Sequence, residues 1–157
     1  MGVLDNLFGS ANKEDDKYLI YTAMAMQLAN ADGETSQSEA DFVVKYLREA
    51  IPAISENRLR KIIDRAMKEG PALIDKVNSL NQNEKEELIG LLIGVAASDG
   101  KFHGNEAVNI FTWTIFFGLD FEKVKSFILD NYDIDNDELT KAMANVKKNM
   151  EKHQQDD

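Results

Sequence analysis

The chain has 157 residues, 28 acidic against 18 basic, for a formal charge of −10, with 43% hydrophobic residues and no cysteine. That length and apolar content suit one compact domain with a real core rather than a disordered chain. The acidity repels phosphate backbones and argues against nucleic acid as a main partner; the missing cysteine excludes disulfides, thiolate metal sites and cysteine nucleophiles.

No stretch carries the roughly 18 uncharged apolar residues of a membrane-spanning helix. Residues 2–8 are too short and too polar for a secretory core, and Asn6 stands where a myristoylation signal wants Ser or Thr. A cytoplasmic protein is expected. Residues 1–13 read as a flexible leader. Val3, Leu4, Leu7 and Phe8 give it a short amphipathic turn, to dock on the body or to touch a partner or a membrane surface.

A helical domain is expected over 14–151. Its first helix starts near Asp15 or Asp16 and ends near Ala31, with Ile20, Ala23, Met24, Leu28 and Ala31 on one face. Ser36 and Glu39 form a capping box for helix two, whose stripe is Phe42, Val43, Tyr46, Leu47 and Ala50, and Pro52 closes it. Ser55 caps helix three, with Leu59, Ile62 and Ala66 inward and Gly70 as its stop. Pro71 opens a short helix four carrying Leu73, Ile74, Val77 and Leu80.

Helix five, from about Glu84 to Ser98, is apolar nearly all round and reads as the buried central helix. Helix six spans about Asn105–Phe117 and stops at Gly118. Asp120 caps helix seven, with Phe121, Val124, Phe127 and Ile128 inward. Asp135 and Glu138 form a box opening helix eight, with Leu139, Met143, Val146 and Met150 on its stripe. Residues 152–157 read as a frayed tail. No run alternates as strands do, so the fold class is all-α, with seven or eight helices.

One motif occurs twice. Asp32-Gly33 stands seven residues before Glu39, and Asp99-Gly100 stands seven before Glu106, the copies 67 residues apart. Leu28–Glu39 aligns without gaps on Val95–Glu106, which predicts a duplicated helix–acidic turn–helix unit about a pseudo-twofold axis. Glu39 and Glu106 fall in the first turn of a helix, where the helix dipole favours a negative charge, so capping accounts for them. Asp32 and Asp99 fall at helix C-terminal ends, where the dipole disfavours them. Their partner is either backbone N–H groups in an Asx-type turn or a cation. The spacing is not that of an EF-hand, because the glycine follows the aspartate at once. If the copies converge, Asp32, Glu39, Asp99 and Glu106 make a candidate site for a hard divalent ion, Ca²⁺ or Mg²⁺. Lys101 is an alternative counter-charge, and His103 a candidate ligand for a transition metal in the same loop.

Ala31-Asp32-Gly33/Glu39 and Ser98-Asp99-Gly100/Glu106, set in an all-helical chain of this size, resemble the TerB-like family of tellurite-resistance proteins. They also resemble the related helical domain at the N-terminus of a membrane-anchored DnaJ-type co-chaperone. The resemblance covers about residues 15–131; helix eight lies outside it. Ser98 replaces the family's usual alanine, and His103-Gly104 replaces its polar cap residues. The resemblance implies a compact helical fold with internal pseudo-symmetry and an acidic, metal-binding patch. It also implies a part in stress response through protein partners.

Trp113, Phe116 and Phe117 crowd helix six, as core or as a partner groove or dimer patch; Met24, Met26, Met67, Met143 and Met150 read as core filler. There is no nucleophile elbow, P-loop, dinucleotide fingerprint or HExxH motif. The expected function is therefore a non-enzymatic binding or adaptor module. The alternative is a Ca²⁺- or Mg²⁺-binding protein, and a weaker one a metal-dependent hydrolase using the same carboxylates. The sequence sets no oligomeric state.

Overall fold

The computed structural model describes the backbone of residues 3–29, 37–98 and 104–155, and the side chains of 16–29, 37–98 and 106–151. Among these residues the chain forms α1 (Val3–Ala29), α2 (Gln37–Ala50), α3 (Glu56–Lys68) and α4 (Gly70–Asp75). A 3₁₀ turn (Val77–Ser79) leads into α5 (Gln82–Ala96), followed by α6 (Gly104–Phe116), α7 (Phe121–Asn131) and α8 (Asn136–Gln155). No strand occurs among the described residues, as expected for an all-α chain.

Local chemistry explains most of the boundaries. The Arg58 amide donates to Ser55 Oγ at 3.1 Å and starts α3. The Glu122 amide donates to Asp120 Oδ1 at 2.9 Å and starts α7, and the Asp137 amide donates to Asp135 Oδ1 at 2.8 Å and starts α8. Gly118 ends α6 with φ +71°, a left-handed turn that glycine adopts without steric cost.

Four expectations need correction. First, α1 starts at Val3, about a dozen residues early: no proline interrupts residues 3–29, so the helix takes in the expected leader. Second, α5 starts at Gln82, because Asn81 and Glu84 form a full capping box: the Glu84 amide donates to Asn81 Oδ1 and the Asn81 amide donates to Glu84 Oε1. Third, Gly70 is not a left-handed stop. Glu69 closes α3 with φ −107°, and Gly70 is already the first residue of α4. Fourth, α4 ends at Asp75, and Val77 is buried from the 3₁₀ turn instead.

The helix α5 is the central element. It packs on α1, α2 and α6, and Leu88, Leu92, Ile93 and Val95 are buried on different sides of it. The first four helices assemble round α1, which touches α2, α3, α4 and α5; α6 carries α7 and α8. Phe111, fully buried on α6, stacks on Phe121 with ring centroids 5.5 Å apart. Where α2 crosses α5, the Phe42 ring lies against the backbone at Gly94; a β-carbon there would overlap that ring. Gly94 is thus what lets α2 approach α5 so closely.

Candidate functional site

The structure places half of the predicted acidic site. Glu39 is the third residue of α2 and half-buried; Glu106 is the third residue of α6 and only 5% exposed. Both therefore sit in a first turn, where the N-terminal dipole stabilises a carboxylate. Each also has an interaction partner. Asp32 and Asp99, with Ser36, Lys101 and His103, lie outside the described residues. Among the described residues no three His, Asp or Glu side chains cluster as a metal site. The described buried polar residues are Thr22, Thr114 and Glu106. The threonine hydroxyls donate to the carbonyls of Tyr18 and Ile110, each at 2.7 Å, which leaves Glu106 as the one buried carboxylate among them.

A tyrosine cluster joins α1, α2 and the start of α5. Tyr18 and Tyr21 meet edge to face at 6.1 Å, and Tyr21 and Tyr46 at 6.5 Å. The Tyr21 hydroxyl donates to the Glu84 carbonyl at 3.0 Å, and the Tyr46 hydroxyl donates to Glu87 Oε1 at 2.5 Å. Burial pushes both phenols well above their usual range. Negative charge on Glu87 and Glu84 adds to the effect at Tyr21, and the hydrogen bond to Glu87 adds to it at Tyr46. These hydroxyls stay protonated and act as hydrogen-bond donors that tie three helices together. The Tyr21–Tyr46 contact and both hydroxyl bonds join residues far apart in sequence, so no local pattern announces them.

Three grooves stand out among the described residues. A cavity of about 280 Å³ lies between α5 and α7, lined by Ile89, Gly90, Ile93, Val124 and Phe127. A wider one of about 600 Å³ lies between α1 and α6, lined by Met24, Leu28, Leu92 of α5, Ile110 and Trp113. A third of about 420 Å³ lies where α1 faces α3 and α4, lined by Met26, Ala66, Met67 and Ile74.

Several side chains expected in the core stand at this surface. Met67 is 63% exposed, Phe127 43% and Met150 37%, whereas Met24 and Met143 are buried. The reason is packing order. The principal helix neighbour of α7 is α6, so Val124 and Ile128 are covered and Phe127 is not. On α6 the aromatic trio divides: Phe117 is buried, Trp113 half-buried and Phe116 56% exposed, its ring edge-on to Trp113 at 5.4 Å. An indole and a phenyl ring held in that contact form a stiff apolar platform on the outside of the bundle.

The family model described as tellurite resistance protein TerB matches residues 19–122, about two-thirds of the chain. The chain belongs to the TerB family. The match runs from the buried part of α1 to the first turn of α7, so α8 stands beyond the matched TerB segment. No curated protein and no solved structure matches the chain. Among the described residues of this TerB chain, no helix is long and apolar enough to cross a membrane.

Proposed function

We propose that this TerB-family chain is a non-enzymatic binding module of a tellurite-resistance-type stress response, working in the cytoplasm through protein partners. The observation that carries the reading is the outward apolar surface, above all Phe116 held against Trp113. Adjoining exposed apolar side chains mark interaction sites where single ones do not, and aromatic anchors of this kind dominate protein interfaces. The test is complementation. A strain deleted for the gene is challenged with tellurite and supplied with wild type or Phe116→Ser. Phe116→Ser, folded as wild type by circular dichroism, should fail to restore growth. Full rescue by Phe116→Ser would count against the reading.

The burial of Glu106 favours a second reading, in which the acidic turns hold a hard divalent cation. Carboxylate oxygens suit Ca²⁺ or Mg²⁺, and Glu39 and Glu106 would be ligands together with Asp32 and Asp99 across a pseudo-twofold axis. Calorimetric titration with Ca²⁺, Mg²⁺ and Zn²⁺, repeated on Asp32→Asn/Asp99→Asn, decides it. Heat that disappears in the double variant supports the site; no heat, or heat unchanged in the variant, removes it.

A further inference from the structure

The geometry points to the groove between α5 and α7 as the docking site for an amphipathic helix of a partner protein. That helix places one large apolar or aromatic side chain over Gly90 and a lysine or arginine beside Glu86. The inference rests on the partner-binding reading and adds to it a surface and a partner chemistry.

Two glycines interrupt the apolar run of α5, and they differ. Gly94 is required by the Phe42 ring. Gly90 is not required by packing: a β-carbon there meets nothing within 4 Å. A glycine inside a helix costs roughly 0.5–1 kcal/mol relative to alanine. At Gly90 that cost has no return among the described residues, and its visible effect is a notch in the groove floor.

The walls have helical spacing. Glu86, Gly90 and Ile93 follow one another at i, i+4 and i+7 on α5, and Asp120, the cap of α7, is followed at the same spacing by Val124 and Phe127. Each wall is thus about two turns long, roughly 10 Å. The charged residues stand at one end of each wall, and the apolar part, Ile89 to Ile93 on α5 and Val124 to Phe127 on α7, is about one turn long, enough to seat one anchor side chain of a third helix. The cavity, about 280 Å³, is just below the roughly 300–1,000 Å³ of small-molecule pockets, so it suits a side-chain anchor.

Charge selects the partner. Glu86 on one rim has no ion pair among the described residues. Across the groove, Lys123 of α7 shares its rim with Asp120, the cap of that helix. The rim thus carries two acids against one base; Asp120 already accepts the Glu122 amide, so Glu86 is where a partner's basic residue belongs. The chain as a whole carries −10, so a second copy is repelled and a basic helix is attracted.

The test pans a phage-displayed library of helical peptides, about four turns long, against the full chain and then measures the enriched peptides on variants. Gly90→Leu fills the notch with a better helix former, so its fold should survive, and a thermal melt checks this. Glu86→Lys reverses the rim charge without touching the core. Enriched peptides should pair Trp, Phe or Leu with a nearby Lys or Arg. They should lose about tenfold or more in affinity on Gly90→Leu, about 1.4 kcal/mol, and weaken on Glu86→Lys, yet bind Phe116→Ser unchanged. Peptides that bind Gly90→Leu as well as wild type overturn the groove assignment. If those peptides instead lose binding on Phe116→Ser, the partner-binding reading stands and only the groove fails. If nothing enriches, both fail.

Discussion

Gly90→Ala and Gly94→Ala are the same chemical change, four residues apart on one helix, and the structure assigns them opposite signs. At Gly90 the new methyl enters open space, so the helix gains propensity and nothing moves. The gain is roughly 0.5–1 kcal/mol. At Gly94 the same propensity gain meets the Phe42 ring, which must swing away from α5. Overpacking of this sort costs roughly 1–3 kcal/mol, leaving a net loss of about 0–2 kcal/mol. In a chain of this size 1 kcal/mol moves the melting temperature by roughly 2–4 °C, so the two variants should separate clearly in calorimetry or urea denaturation. The background Phe42→Ala removes the ring, and there Gly94→Ala should stabilise as Gly90→Ala does. If Gly94→Ala stabilises the unmodified chain as much as Gly90→Ala, the α2–α5 packing described above is wrong.

Further expectations concern single groups. Because burial raises the Tyr21 and Tyr46 phenols, the folded state holds those protons more tightly than the unfolded state, whose phenols titrate near pH 10. Their contribution is complete below about pH 10 and is lost as the pH climbs above it, so urea midpoints should fall on the alkaline side. Tyr46→Phe should make that fall shallower, and an unchanged alkaline slope would rule Tyr46 out. Ser55→Ala and Asn81→Ala should each cost about 1 kcal/mol in urea denaturation, because each removes the side-chain acceptor that starts a helix. No loss at either position would show that the cap is not formed in solution. Phe111→Ala should cost about 3–5 kcal/mol through the cavity it leaves under Phe121, and a loss below about 1 kcal/mol would mean that α6 is not packed as described.

Short-range signals were readable in the sequence, and long-range ones were not. Ser55, Asp120 and Gly118 declare helix ends because a cap or a left-handed turn needs only the residue and its neighbours. Asn81-x-x-Glu84 carried the same kind of signal and could have been found by its spacing. The start of α1 was hidden because Asp15 and Asp16 look like a helix entrance, while Gly2 and Gly9 make the residues before them look loose. The buried run of α5 was legible from an apolar surface on every side. The exposure of Met67 and Phe127 was not, because periodicity names an apolar face and only tertiary order says whether another helix covers it. Of the candidate site, the two glutamates appear where their spacing puts them, at the third position of a helix. Gly90 drew no notice in the sequence, since a glycine in an apolar helix reads alike whether a ring or open space stands beside it.

The proposed binding of protein partners through the outward apolar side chains of this TerB-family chain can be tested directly. The most direct measurement is quantitative affinity purification of the tagged chain from its own cells under tellurite exposure. Wild type is compared with Phe116→Ser and Gly90→Leu, each shown to be folded by circular dichroism. Wild type should retain a defined partner that at least one of the two variants loses. The same proteins recovered with all three chains, or no protein enriched by wild type, would contradict the proposed binding.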